Sequence, residues 1–151
     1  MRYWLMKSEP SVYSIDDLAR DNTTAWTGVR NYQARNFMRD EMQLADRVLF
    51  YHSTCEEPGI VGVADVCRTA YPDPTQFDRR SEYYDPGSTR DAPRWLSVDL
   101  KFARKTHLIS LPELRKHKEL SRMRILQRGN RLSVTPVERE EWKVIMQIIG
   151  N

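Results

Sequence analysis

The chain has 151 residues, a formal charge of +3, 40% hydrophobic and 30% charged residues, and a mean hydropathy of -0.69. That length suits one domain over residues 1–151, large enough to bury roughly two-thirds of the surface its unfolded chain exposes. Aromatic and branched residues interspersed among the charges exclude global disorder, no apolar run approaches the ~20 residues of a membrane helix, and the stretch between Arg2 and Lys7 is too short for a signal-peptide core, so a soluble, cytoplasmic chain is expected.

Residues 2–7 form a short aromatic-rich run that reads as an opening strand. Ser14 followed by Ile15, Asp16 and Asp17 reads as a helix start, with the hydroxyl as N-cap and acids in the first turn. Residues 22–24 read as a turn and residues 26–29 (Trp-Thr-Gly-Val) as loop. A second helix is predicted from Asn31 as N-cap to about Met42, with Ala34, Phe37, Met38 and Met42 on its inner face. Residues 46–52 and 59–68 read as paired strands across a Glu-Glu-Pro-Gly turn. Residues 71–93 are rich in Pro, Asp, Gly, Ser and Tyr without a stable period, and so long an irregular stretch is uncommon unless it is functional or mobile. A long strand over 94–109 follows, then a short helix opened by Ser110, Pro112 and Glu113. A strand over 131–135 precedes a last helix, for which 135–138 (Thr-Pro-Val-Glu) reads as the capping box and Trp142, Ile145 and Ile149 as the inward face. This order is not the alternation of a doubly wound parallel sheet. It fits an α+β fold: a mixed, strongly curved sheet closing into a small barrel with helices packed around it.

Cys55 and Cys67 are too few for a disulfide framework, and with His52 they lack the spacing of a zinc site, so neither a metal nor another cofactor is expected. Phosphate-cradling glycine loops, the HExxH zinc motif and the GxSxG elbow are all missing. His52 and Cys55, three residues apart on an extended segment, would point to opposite faces, a poor nucleophile–base pair. The carboxylates Asp73, Asp78, Glu82 and Asp85 admit two readings: an acid/base pair acting on a nucleoside or small metabolite, or turn and capping hydrogen bonds beside prolines.

Residues 101–131 hold ten Lys or Arg against Glu113 and Glu119, a local charge of +8. Such a segment is either a surface following a phosphate backbone or an ordinary solvated helical face. Trp4, Trp95 and Trp142 are expected in the core. For Trp26, in a polar stretch with Gly28, Arg30 and Asn31, core packing and a stacking surface for a nucleobase both remain open.

Several longer strings point the same way: 3–10 (Tyr-Trp-Leu-Met-Lys-Ser-Glu-Pro), 26–37 (Trp-Thr-Gly-Val-Arg-Asn-Tyr-Gln-Ala-Arg-Asn-Phe), and 50–53 (Phe-Tyr-His-Ser). With 72–78, 83–86, 93–95 and 131–137, they resemble the motifs of the EVE domain family over Tyr3 to Trp142. The resemblance implies a PUA-like fold, a curved barrel that recurs in RNA- and DNA-binding modules. It also implies similarity to the YTH domains, which read methylated adenine, and a part in reading modified bases, particularly modified cytosine in DNA. Lys7-Ser8 resembles a Lys-Ser pair of YTH domains, and Trp26 resembles one wall of their base cage. The run after that tryptophan differs, so methyladenine specificity is not implied, and without the basic tail of the family's nuclear members neither is nuclear import.

The expected mechanism is that of a non-enzymatic reader, monomeric and independent of membrane and metal. A base presented single-stranded or flipped from a duplex enters a slot walled by Trp26. Ser8, Asn31 and Ser53 are assigned to its edge. Lys7 and Arg30, also in the pocket, and Arg94 are assigned to flanking phosphates, with Arg35 and the segment 101–131, Lys101, Arg104 and Lys105 first in it, extending the track. The competing functions are the carboxylate-based enzyme and a protein-interaction scaffold.

Overall fold

The structure, a computed structural model, describes residues 1–150. Among these, six strands and four α-helices are present: β1 (Tyr3–Ser8), α1 (Ile15–Asp21), β2 (Thr23–Trp26), α2 (Tyr32–Asp40), β3 (Arg47–His52), β4 (Gly59–Pro72), β5 (Leu96–Ser110), α3 (Leu111–Arg115), β6 (Val134–Val137) and α4 (Arg139–Ile149). The strands form one mixed sheet in the order β2-β5-β4-β3-β1-β6, with β1 and β3 parallel and the other neighbours antiparallel. The α+β class expected from the sequence is the class observed. The outermost strands β2 and β6 do not pair, so the sheet stays open where closure into a barrel was expected.

It is nonetheless strongly curled. Strands β2 and β3 are three intervals apart, about 14 Å across a flat sheet. Yet the ring of Trp26 on β2 meets that of Phe50 on β3 with centroids 5.5 Å apart. The long strands β4 and β5 carry this bend, with register shifts at Ile60/Gly62, Val63/Ala64, Val66/Arg68 and Arg68/Tyr71, as bulges increase local twist. At Gly62 a side chain would have no room, because a Cβ there would lie 2.4 Å from Cδ1 of Ile15.

Period-two alternation divides the core between the faces of the sheet. Trp4, Met6, Val48 and Phe50 join α1 and α2 on one side, while Leu5, Leu49 and Tyr51 join Leu114 of α3 and Trp142, Ile145 and Ile149 of α4 on the other. Trp4, Trp95 and Trp142 are all buried, as expected.

The predicted caps of the first three helices are present. The Ser14 side chain accepts from the Asp17 N–H and Asp17 returns the bond, Asn31 accepts from the Ala34 N–H, and Ser110 accepts from the Glu113 N–H. The last cap lies further on than expected. Glu138 and Glu141 form the capping box, while Thr135 and Pro136 belong to β6. A proline is tolerated there because β6 is an edge strand. The other correction is β2, expected as turn and loop: Thr23, Thr24, Ala25 and Trp26 pair with Lys101, Leu100, Asp99 and Val98 of β5. Inside the irregular stretch, β4 continues to Pro72 and a short 3-10 turn occupies Pro74–Phe77. None of the helices described is long and apolar enough to cross a membrane.

Asp46, 2% exposed, anchors the start of β1: it accepts from the Trp4 indole (3.0 Å), the Gln43 N–H (2.9 Å) and the Arg2 N–H (3.1 Å). Asp46→Ala leaves a buried indole N–H without a partner, and urea unfolding should show a loss of about 2–4 kcal/mol.

Candidate functional site

The parallel pairing of β1 and β3 ends with Ser8 opposite His52, so the segments that leave these strands run side by side. The Ser53 N–H donates to the Ser8 carbonyl at 3.0 Å, and the Lys7 N–H donates to the Ser133 carbonyl at 2.9 Å. A cavity of about 610 Å³ opens at this end of the sheet, lined by Lys7, Ser8, Trp26, Ser53, Ser133 and Arg131, with Tyr13 and Tyr83 adding two further aromatic side chains. Its size falls in the range of ~300–1,000 Å³ usual for small-molecule sites.

Trp26 reaches the cavity from the end of β2 rather than from a loop. It is 8% exposed, with its ring edge-on to Phe50 at 89°, so it packs in the core, and it also lines the cavity. The segment beyond it is held rigidly. Gly28 has φ +85°, and a Cβ there would stand 2.7 Å from Cζ of Tyr83. Only glycine lets the backbone turn under that ring. The fully buried Asp73 carboxylate accepts from the Gly28 N–H (2.8 Å), Arg30 Nη1 (3.0 Å), the Thr75 N–H (2.8 Å) and the Thr75 hydroxyl (2.6 Å). Arg30 also donates to the Tyr83 carbonyl from Nε and Nη2, at 3.1 and 2.8 Å. Tyr83 lies in one of the strings that carry the resemblance but is not assigned to the pocket from the sequence, since the irregular stretch offers no period that places a side chain.

The polar groups of the cavity differ in what they can still do. Ser8 Oγ donates its proton to the Tyr13 carbonyl at 2.6 Å, which leaves it an acceptor towards a ligand. Burial holds the Lys7 ammonium below the usual lysine range. Behind the cavity, His52 Nε2 accepts the Ile15 N–H at 3.1 Å, and burial lowers the imidazole pKa against a smaller opposing pull from Asp16. Thr54, at the cavity wall, has φ +53°, a left-handed conformation that a β-branched residue adopts only under tertiary constraint.

Lys7, Ser8, Trp26 and Ser53 are therefore brought together as expected from the sequence. Arg30 and Asn31 stand beside the cavity instead of lining it, because Arg30 braces Asp73 and Tyr83 and Asn31 caps α2. Arg35 donates to the Arg94 carbonyl and to Asn36, and lies over the Tyr32 ring at 4.8 Å. Arg94 faces Asp85 at 3.5 Å. Lys101, Arg104 and Lys105 lie along β5 away from the cavity lining, with Lys105 paired to Asp16 at 2.8 Å. The basic stretch comes to the cavity at its other end, through Arg131. Arg115, Lys116, Lys118, Arg122, Arg128 and Arg131 are all exposed, and none has a carboxylate within 4 Å among the described residues.

Three of the four carboxylates proposed for acid/base work make structural bonds, and the fourth, Glu82, is exposed. Asp73 is engaged as above, Asp85 accepts from the Trp95 indole (2.8 Å) and the Gly87 N–H (2.9 Å), and Asp78 accepts from the Arg80 N–H (3.0 Å). The bond from the Trp95 indole is the main reason that the Asp85 carboxyl lies below its ordinary range. Cys67 is exposed and Cys55 half-buried, and no group of three His, Cys, Asp or Glu among the described residues is placed to hold a metal.

Residues 2–148 match the EVE domain model. The chain belongs to the EVE domain family. Thymocyte nuclear protein 1 of Rattus norvegicus, in the same range of similarity, is 43% identical over 166 residues, covering 97% of this chain and 73% of that protein. Among solved EVE-like structures, a Pseudomonas syringae protein superposes with TM-score 0.95 at 44% identity, covering 98% of this chain and 99% of that one. The human THYN1 protein in complex with 5-methylcytosine-containing DNA superposes with TM-score 0.92 at 42% identity, covering 100% of this chain and 99% of that one. A Zymomonas mobilis ASCH protein, at TM-score 0.60 and 13% identity, shares the fold alone.

Two predictions follow from the geometry of this EVE domain. Asp73→Ala strands the Gly28 N–H and the Arg30 guanidinium; with Arg30 partly solvated, denaturant unfolding should show a loss of about 2–4 kcal/mol, and acrylamide should quench Trp26 more readily. His52 binds its proton less readily folded than unfolded, so its contribution is complete above the ordinary histidine pKa of about 6.5 and is lost as pH falls through the depressed folded value. Thermal melts between about pH 7.5 and pH 5 should show this fall in Tm, and His52→Gln should remove that part of the slope.

Proposed function

We propose that this chain is a non-enzymatic reader of modified bases in DNA, accepting a modified cytosine, flipped out or single-stranded, into the cavity beside Trp26. The observation that carries the reading is the position of that indole: fixed against Phe50 on one side and lining, on another, a cavity that also presents Lys7, Ser8 and Ser53. Similarity along the whole chain to a human protein in complex with 5-methylcytosine-containing DNA supports the choice of DNA and of base.

In this mechanism the flat ring of the base stacks on the indole, a contact that tolerates any base and supplies affinity. Discrimination comes from the edge. Ser8 Oγ, its own proton already given to Tyr13, accepts from the exocyclic amino group that cytosine carries, and Ser53 supplies a second hydroxyl. A methyl group at the back of the cavity adds only ~1–3 kcal/mol, so selectivity for methylation is moderate. Outside the cavity, the exposed, unpaired cations from Arg115 to Arg131 follow the phosphate backbone, and the chain acts as a cytoplasmic monomer. Within the segment 101–131 that the sequence reading assigned to the phosphate track, these cations favour the connection between α3 and β6 over the β5 residues Lys101, Arg104 and Lys105.

Titration of an oligonucleotide carrying one 5-methylcytosine, at fixed salt, tests the reading. Trp26→Ala should weaken binding by ~1–3 kcal/mol, and equal affinity of the two proteins would overturn the proposal. The double variant Arg122→Gln/Arg128→Gln should reduce the slope of log K against log salt by about two with methylation preference unchanged. An RNA oligonucleotide of the same sequence is the control for the choice of DNA.

A further inference from the structure

Lys7 brings a charge into the cavity that the protein does not balance. Among the described residues no carboxylate oxygen lies within 4 Å of its ammonium, whereas Lys105 on the surface is paired with Asp16 and Arg30 with Asp73. Glu9 lines the same cavity, but it is exposed and its carboxylate is not paired with the Lys7 ammonium. Loss of water is what lowers the lysine's proton affinity, with no anion opposing it. A half-buried cation without a counter-charge is costly, and an arriving anion relieves that cost.

A second cation lines the same cavity. Arg131 lines the cavity and is also unpaired, and the bond from the Lys7 N–H to the Ser133 carbonyl at 2.9 Å ties its segment to β1. Ser53 and Ser133 line the same cavity and add neutral polar groups, while Ser8, its proton given to the Tyr13 carbonyl, adds an acceptor for the rest of the ligand. The arrangement is that of an anion cradle set beside an aromatic wall.

We infer that Lys7 and Arg131 form an oxyanion subsite within the cavity, taking a phosphate or carboxylate group borne by the ligand whose ring rests on Trp26. The inference deepens the base-reader reading and rests on it for the identity of the ring. The oxyanion has two sources: the 5′-phosphate of the bound nucleotide itself, or an acidic substituent on its base.

The test is calorimetric titration of the full chain with four probes: 5-methyldeoxycytidine, its 5′-monophosphate, 5-carboxyldeoxycytidine and inorganic phosphate. At least one anionic nucleoside probe should bind about tenfold more tightly than neutral 5-methyldeoxycytidine. An advantage confined to the monophosphate identifies the backbone as the source, and one confined to the carboxyl nucleoside identifies the base. Read as the ratio of anionic to neutral nucleoside affinity within each variant, the advantage should be abolished by Lys7→Gln, mostly retained by Lys7→Arg and reduced by Arg131→Gln. Equal binding of all nucleoside probes to the wild type, or an advantage that survives Lys7→Gln, overturns the subsite. NMR titration of the Lys7 side chain in the unmutated protein guards against a folding defect. Inorganic phosphate should raise its lowered pKa, and an unmoved titration curve overturns the proposal. Because that measurement needs no base, it separates failure of the subsite from failure of the base reading, which shows instead as no nucleoside binding and no effect of Trp26→Ala.

Discussion

A carboxylate with no access to water, that of Asp73, joins the two parts of the chain that make the upper wall of the cavity. It takes hydrogen bonds from Gly28 and Arg30 on one segment and from Thr75 on the other, so the turn after Trp26 and the stretch leading to Tyr83 cannot shift independently. A buried charge of this kind is weak support for stability, since its desolvation offsets much of its attraction to Arg30. Its effect is geometric. Four donors converge on two oxygens from fixed directions, and satisfying all of them allows one arrangement of the wall. Gln76, also fully buried, repeats the device one turn further along: its amide donates to the Asp73 and Trp95 carbonyls and its oxygen accepts from Ser88 and the Trp95 N–H. A stretch that looks irregular by backbone pattern is thereby ordered by side chains.

The cations of the molecule divide according to this scheme. Those bracing the wall are engaged by the protein: Arg30 and Arg94 are paired with Asp73 and Asp85, and Arg35 donates to carbonyl and amide oxygens with its face on Tyr32. Among those left without a carboxylate partner are Lys7 in the cavity and the exposed series ending at Arg131. A paired guanidinium contributes little field at a distance, while unpaired charges of one sign along one connection produce a potential that acts on a polyanion before contact. The net charge of +3 understates this asymmetry, because the paired residues dilute it.

Most elements were legible because local chemistry decides them. The Ser14, Asn31 and Ser110 caps, the alternation of β1 and β3, and the inner face of α4 depend on residues within a few positions of one another. Strand β2 was not legible, because Thr-Thr-Ala-Trp has no alternating face of its own and is a strand only through its pairing with β5, more than seventy residues away in sequence. The last capping box was misplaced because Thr135 satisfies the pattern, but pairing with β1 extends the strand past it and hands the role to Glu138. Lys7, Ser8, Trp26 and Ser53, grouped from their motifs, line one cavity, while Arg30, expected at a phosphate, and Asn31, expected at a base edge, use their polar groups on the protein itself. No short-range pattern distinguishes a guanidinium that faces a ligand from one that braces a loop.

The open, curled sheet explains why these residues meet at all. Trp26 sits on one edge strand and Lys7 on a strand four intervals away, about 19 Å across a flat sheet. Bulges along β4 and β5 bend the sheet until the edge bearing the indole comes over the ends of β1 and β3, and the unmade pairing between β2 and β6 leaves that end free of a closing ladder. Full closure would have set backbone hydrogen bonds between the two edges, whereas the open curl leaves them to be joined by side chains and by the loops around Asp73 and Ser133. The cavity is therefore a consequence of curvature without closure: the sheet supplies its rigid floor, and the long connection through Tyr83 supplies a wall whose position depends on a handful of hydrogen bonds.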